Sequence, residues 1–445
     1  MDSSPGDAPR DTTNAAVVQD HEVRDKDVRK IAMSAFVGTA LEWYDFFLFG
    51  TASALVFNHL YFATDDPVTA TLASFATFGV GFLARPLGAI LFGKLGDQYG
   101  RKPALLLSIV VIGVATGLVG LLPDYHAIGM AAPILLTVLR LLQGIAVGGE
   151  WGGATTIAIE HAPPEKRGRY AAMVQLGSPV GTLLSSGAFA LVVMLPDEAV
   201  DSWGWRVPFL AAFPFLAIAL WIRLKVEESP VYQQLAEESE NKPTGSLKEL
   251  FTAYPKQTLY ATFAAITGIG GFFIFTTYAL SYGTQVLEFD RQTVVNATLL
   301  AAAGQLFFLP LYGRLGERYG AGLVMGIGGI TAAILAVPLW LLIDSHNAIL
   351  MTMAICIGIW VISAPYGVVG VLLGEMFPAH IRYTGMAITS NITGAISGLL
   401  PFLATFINSF FEEQSSVSAM VLLIIITLLT ALGGIMGSKY KHEEN

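Results

Sequence analysis

The stretch GKLGDQYGRK (93–102) recurs as GRLGERYG (313–320), an offset of 220 residues. A second landmark repeats with it. Glu160 precedes Arg167 by seven positions, and Glu375 precedes Arg382 by the same seven, at an offset of 215. Two matched landmarks at nearly one offset indicate a duplicated chain. Each landmark follows a long apolar run, so the duplicated unit is a set of apolar segments.

Composition says what those segments are. Of 445 residues, 54% are apolar and only 13% charged, where a soluble chain carries about a quarter charged. A helix needs roughly 20 apolar residues to cross a bilayer. Runs near 32–57, 70–93, 103–123, 131–159, 169–194, 206–224, 258–285, 294–315, 321–343, 348–374, 384–410 and 416–438 meet that need. The reading is an all-α polytopic membrane protein, with twelve transmembrane helices as two six-helix halves, 31–224 and 258–438. The longest polar interruption, 225–257, reads as a linker with short helices, since Ser246 and Glu249 form a capping box ahead of Leu250. Residues 1–30 and 439–445 read as polar tails, the first lacking the apolar core of a signal peptide.

The spans sort the charges. Eleven acids and only Arg206 and Arg291 fall on one side, while the other Lys and Arg outside the spans cluster on the opposite side. Lys and Arg stay cytoplasmic, which places both termini in the cytoplasm of a plasma or inner membrane. Cys356 is the one cysteine and reads as a packing residue, with no internal disulfide to form.

An ionised side chain at the bilayer centre costs ~2.5–3.5 kcal/mol on insertion scales, so such residues face a cavity or a partner. Five stand out: Glu42, Asp45, Arg85, Arg140 and Glu150. Glu42 and Asp45, three apart, share a helix face. Asp45 and Arg140 fall at similar depth. A carboxylate facing an arginine stays ionised, and takes a proton when that arginine moves or the site dries. That is the behaviour a proton-coupled carrier requires, with Glu42 and Glu150 as alternative proton sites. A fixed ion pair orienting two helices has the same signature. Arg85 reads either as a packing cation paired with Glu42 or a carbonyl, or as an anchor for a carboxylate, which guanidinium grips with two parallel hydrogen bonds. Arg206 reads as an interfacial residue that snorkels. Tyr44, Gln143, Gln175, Tyr278, Tyr282, Gln305, Trp360, Tyr366 and Asn391 are uncharged cavity candidates: for each alone a helix–helix hydrogen bond is the commoner explanation, and as a set they outline a pocket.

Asp97 and Arg101 lie where the second run meets the third. Together with Gly93, Gly100, Lys102, Glu160 and Arg167, and with Glu317, Glu375 and Arg382 of the repeat, they read as a salt-bridged gate at the inner mouth. The chain has no Gly-x-x-x-x-Gly-Lys-Ser/Thr phosphate loop, no metal-spaced histidines and no Gly-x-Ser-x-Gly nucleophile turn. Neither an enzyme nor a cofactor, metal or nucleic-acid partner is expected.

GKLGDQYGRK resembles the signature between spans 2 and 3 of the major facilitator superfamily, and Arg140-Leu-Leu-Gln143-Gly144 its fourth-span arginine motif. GTALEWYDFFLFGTASALVFN (38–58), ASFATFGVGFLARPLGA (73–89), RLLQGIAVGGEWGGA (140–154), PPEKRGRY (163–170), GWRVPF (204–209) and GEMFPAHIRYTG (374–385) resemble its metabolite:proton symporter family. The first two spans look most like shikimate-type members. Tyr44-Asp45 is similar to the first-span Tyr-Asp of proton-coupled sugar porters, where the Asp pairs with the fourth-span Arg. The resemblance implies a monomeric carrier taking up an organic acid such as shikimate with protons by alternating access. Proline/betaine-type zwitterion symport and passive uniport are the alternatives. The second signature departs from the first, with Glu317 for Asp and Ala321-Gly322 for Arg101-Lys102.

Overall fold

The computed structural model describes residues 12–62, 64, 66–99, 101–148, 166–227, 247–411 and 415–441. These residues form twelve helical spans: 12–60, 67–99, 101–121, 131–148, 167–192, 206–227, 255–285, 291–319, 321–343, 348–376, 379–408 and 417–437. Nine helices among the described residues are long and apolar enough to cross a membrane. The first span begins well upstream of its apolar run, because the helix already starts at Thr12. Residues 12–30, read from sequence as a tail, therefore continue that helix. In the linker, Leu247–Ala253 is helical, while Ser246 of the capping-box pattern lies outside the described residues.

Local sequence explains how the spans start and break. Asp66 begins the second span: its carboxylate accepts hydrogen bonds from the Thr69 hydroxyl and from the Thr69 and Val68 amides. Those bonds, the hydroxyl's first, hold its pKa below the usual carboxylate range. The same span interrupts at Ala84, two residues before Pro86, where proline's ring and missing N–H break the ladder. The eleventh interrupts at Leu399, two before Pro401. The first and seventh spans each contain π-helical turns, Ser53–Phe57 in one and Ile274–Tyr278 in the other. Their positions differ by 221 residues, in step with the sequence repeat.

Within the first half, spans 2 and 4 meet backbone to backbone. A Cβ added to Gly144 would run into the Gly81 carbonyl oxygen, and one added to Gly148 into that of Arg85. This approach brings Arg85 and Arg140, one on each helix, into a single layer. Gly144→Ala should therefore force the helices apart and cost ~1–3 kcal/mol or more, read as a lowered melting temperature of the purified protein. Gly187→Ala is the control, since its Cβ would find only Leu299, at 3.8 Å. Equal melting temperatures for the two variants would refute the close-packing argument.

The two halves face each other through spans 1, 2 and 5 on one side and 7, 8, 10 and 11 on the other. Their shared centre is aromatic. Trp43 stacks on Phe47 at 5.3 Å and meets Tyr366 edge-on at 6.0 Å. Phe47 packs on Phe272 at 4.7 Å, and Phe273 lies against Phe78 and Phe82.

Candidate functional site

Asp45 is buried midway along the apolar run of the first span, and its carboxylate is surrounded by donors. Arg140 Nη1 lies 3.0 Å from Oδ2, and Gln143 Nε2 donates to Oδ1 at 2.6 Å. The Thr116 hydroxyl lies 2.5 Å from Oδ1 and 2.7 Å from the Ile112 carbonyl of its own helix. Its single proton can go to either. When Asp45 is ionised, the hydroxyl donates to it. When Asp45 is protonated, the carboxyl can donate to the Thr116 oxygen while that hydroxyl donates to Ile112. Both protonation states are thus satisfied with the heavy atoms in place.

Arg140 is held as carefully as its partner. Its guanidinium sits against four phenylalanine rings, closest to Phe49 at 4.4 Å, with Phe46, Phe78 and Phe82 around it. The ring faces supply a diffuse negative potential. Nε donates to the Phe78 carbonyl at 3.4 Å, Nη1 also reaches Gln143 Oε1 at 3.2 Å, and buried Nη2 has no hydrogen-bond partner among the described residues.

A second buried pair lies one turn away. Arg85 Nη2 bonds Glu42 Oε1 at 3.0 Å, both residues almost completely buried. Arg85 rests on Phe46 and Phe82, two of the rings that also flank Arg140, and those rings lie 4.6 Å apart. Its Nε is buried with no hydrogen-bond partner among the described residues. It also reaches the other half: a Cβ at Gly394 on span 11 would stand 3.1 Å from Arg85 Nη1. A cavity of about 20 Å³ runs beside both acids, lined by Glu42, Tyr44, Asp45 and Thr116 among apolar residues. That is room for one water molecule.

The other predicted residues spread over several places. Gln175 donates to the Tyr366 carbonyl across the halves at 3.4 Å, beside the central aromatics. Tyr44 turns toward the sixth span, donating to the Pro208 carbonyl at 2.5 Å. Trp360 spends its N–H on the Ala301 carbonyl and stacks on Phe308, pinning spans 8 and 10. Gln305 donates to Ser363 and Asn391 to the Ala387 carbonyl, leaving each amide oxygen buried and unpartnered among the described residues. Tyr278 and Tyr282 line a separate polar cavity of about 90 Å³ with Thr71, Ser281, Gln285 and Asn408. There the Tyr282 hydroxyl donates to Asp344, which also receives Ser416. Arg206 does not simply snorkel. It donates to the Gly120 and Leu122 carbonyls and caps the end of the third span. Glu150 and Glu160, like Gly100, lie outside the described residues, as do the side chains of Asp97, Arg101, Lys102 and Arg167 and the surroundings of Gly93.

Cross-half contacts occur at both ends of the bundle. At the end where the fifth span begins and the eighth ends, Glu317 accepts from the Arg169 amide at 2.9 Å and pairs with its guanidinium at 3.4 Å. The repeat's departure from the first signature thus still joins the halves. Glu375 pairs with Lys441, whereas Arg382 Nε donates to the Phe377 carbonyl. At the opposite end, Gln285 bonds both Thr71 and the carbonyl of Ala54, within the π-helical turn, and Arg291 lies 3.6 Å from Asp197 and Asp201. The Arg169 side chain is mostly exposed, so its ion pair is worth ~0–1 kcal/mol. Glu317→Lys should loosen the ends of spans 5 and 8, read as faster amide exchange there. Adding Arg169→Glu should restore protection. No change in either variant would remove the pair as a link between the halves.

This architecture, two six-helix halves enclosing buried charges at the centre of the bundle, is that of a polytopic membrane protein. The chain belongs to the family described as Sugar (and other) transporter, of the major facilitator superfamily, whose model matches residues 31–267 and 234–439. It is 36% identical over 406 residues to the inner membrane metabolite transport protein YhjE of Escherichia coli K12, covering 88% of this chain and 92% of that one. The E. coli K12 shikimate transporter is 36% identical over 410 residues, 91% and 94% of the two chains. The proline/betaine transporter of the same organism is 33% identical over 432 residues, 95% and 85%. Among solved structures, a partially occluded inward-open form of the E. coli xylose transporter XylE superposes with a TM-score of 0.68 at 17% identity, covering 93% of this chain and 98% of that one. The chain is therefore a multi-pass membrane transporter of small molecules.

Proposed function

We propose that this carrier takes up a small carboxylate together with protons by alternating access. The observation that carries the reading is the pair of buried arginines at the centre of the first half, each on a carboxylate and one reaching the half interface. Arg85 is the anchor for the solute's carboxylate. Asp45 is the proton site, and the dual role open to the Thr116 hydroxyl supports it, since the site accommodates Asp45 with or without its proton. Shikimate, proline and betaine, named for two of the relatives, differ in overall charge but share a carboxylate. An organic acid such as shikimate is the leading substrate. A zwitterion of the proline or betaine kind satisfies the same anchor.

The Lys- and Arg-rich face is cytoplasmic in this reading, with both termini inside a bacterial inner membrane. The chain then works as a monomer with Arg169 and Glu317 at its inner mouth. Gln175, Tyr366, Gln305 and Asn391 are the uncharged residues best placed to complete the substrate site. The test is uptake by proteoliposomes under an imposed pH gradient, offering shikimate, succinate, an aromatic acid, proline and glycine betaine. Accumulation that collapses with the gradient is expected. Equal accumulation without a pH gradient or other driving ion would overturn symport, and equilibration without accumulation would indicate a uniporter.

A further inference from the structure

His59 stands at the end of the first span, at the same end of the bundle as Gln285 and Arg291, and each nitrogen of its ring faces an acceptor. Nε2 lies 3.3 Å from Asp201 Oδ2, and Nδ1 lies 3.0 Å from Asn58 Oδ1. The Asn58 oxygen is held in that orientation, because it also accepts from the His59 backbone amide at 3.0 Å. A neutral imidazole has one N–H and leaves one of the two contacts without a donor, whereas the imidazolium donates to both. The surroundings therefore suit the protonated ring.

Asp201 also faces the other half. It lies between spans 5 and 6, and its Oδ1 is 3.6 Å from Arg291 Nη1, which is equally far from Asp197. Arg291 opens span 8, so this cluster joins the two halves. We propose that His59 is a proton-binding site that loosens this closure: the charged ring draws Asp201 to the first half and weakens its hold on Arg291. With the ring neutral, Arg291 faces two negative charges across the interface. With the ring charged, one of the two is offset, and the two cations repel. The proton comes from water and is the only species exchanged. The side chains of His59, Asp201 and Arg291 are 39%, 31% and 30% exposed, so water reaches the ring.

The neighbouring charged and titratable groups leave the sign unchanged. Glu198 follows Asp197 on the same short helix and adds a constant charge. Asp66, on the second span packed against His59, spends its carboxylate on its own helix start, and Asp65 lies outside the described residues. Tyr61 turns to the Leu122 carbonyl, which Arg206 also reaches. Glu288 and Asp290 precede Arg291 within its own half and move with it. An imidazole ordinarily changes charge between about pH 5 and 8, the range in which external acid drives proton uptake. This rests on reading that end of the bundle as the outer one. The latch then loosens when the proton gradient is present, while Asp45 keeps the coupling itself.

The experiment measures the distance between the halves. Purified protein in lipid nanodiscs, with Cys356→Ala, Met194→Cys and Asn296→Cys, carries one spin label on each half at that end, both at exposed positions. Distance distributions are recorded at about pH 8 and about pH 5, either side of the usual imidazole titration. With His59 in place, the longer distance should gain at acid pH. The ratio of open to closed forms should rise about two- to fivefold, because exposed ion pairs are individually weak. His59→Gln should keep one ratio at both pH values. His59→Lys, which stays charged, should hold the acid ratio at both. An undiminished response in His59→Gln, a shorter distance at acid pH, or no response with His59 in place would overturn the latch. Which end faces out is tested separately, by labelling Met194→Cys in intact cells with a membrane-impermeant maleimide. Labelling only after the membrane is opened would overturn the outer reading and leave the proton-released contact standing.

Discussion

Asp45→Asn should exchange solute across the membrane but no longer concentrate it. Under proton symport, each pH unit of gradient supplies 1.36 kcal/mol per proton, about a tenfold concentration ratio. Asparagine keeps the shape of Asp45 and can still accept from Thr116 and Gln143. It cannot bind and release a proton. The variant should therefore bring internal solute only to the external concentration, while counterflow between preloaded solute and tracer stays within a fewfold of wild type. The substitution also strips Arg140 of its counter-charge in a buried site, a change that can cost ~3–5 kcal/mol. Four phenylalanine faces and the Phe78 carbonyl remain to hold the guanidinium, so a folded protein with a lowered melting temperature is expected. A folded variant that still accumulates solute against its gradient would remove Asp45 from the coupling.

That prediction was legible before any coordinates, and the reason is physical. Charges are so costly in a membrane that depth brings Asp45 to Arg140, while it left Arg85 open between Glu42, a carbonyl and a solute's carboxylate. The repeat of GKLGDQYG as GRLGERYG likewise fixed the division into halves. Uncharged residues carry no such penalty, so sequence could not say which way they turn. Thr116 was missed because a threonine in an apolar helix ordinarily bonds the carbonyl four residues back. It does so here as well, to Ile112, and reaches Asp45 only because spans 1 and 3 meet at that rotation. Phe46 and Phe82 read as core, and their service to both arginines depends on the close approach at Gly144 and Gly148. Trp360 shows the converse. A mid-span indole looks like a cavity residue, yet a backbone carbonyl one helix away satisfies it completely. The general rule is that formal charge locates a membrane site, while helix azimuth decides its lining.

Arg85 separates a binding role from a structural one, given the right set of variants. Arg85→Met leaves Glu42 buried without its cation, and breaking such a pair should cost ~3–5 kcal/mol of stability. That loss alone says nothing about transport. Pairing it with Glu42→Gln removes both charges, and a buried ion pair replaced by neutral groups is often no less stable than the original. The double variant should therefore recover most of the wild-type melting temperature. If Arg85 only orients spans 1 and 2, transport should recover too. If it grips the solute's carboxylate, binding should stay undetectable in a fully folded protein. Arg85→Lys adds the graded case. Lysine keeps the charge but loses the planar fork, forfeiting one charge-assisted hydrogen bond of ~1.5–3 kcal/mol. Affinity for the carboxylate should then fall about 10- to 150-fold with stability nearly unchanged. Uptake restored in the Met/Gln pair would make Arg85 a packing residue, and the carboxylate anchor would have to be sought among the other residues at the half interface.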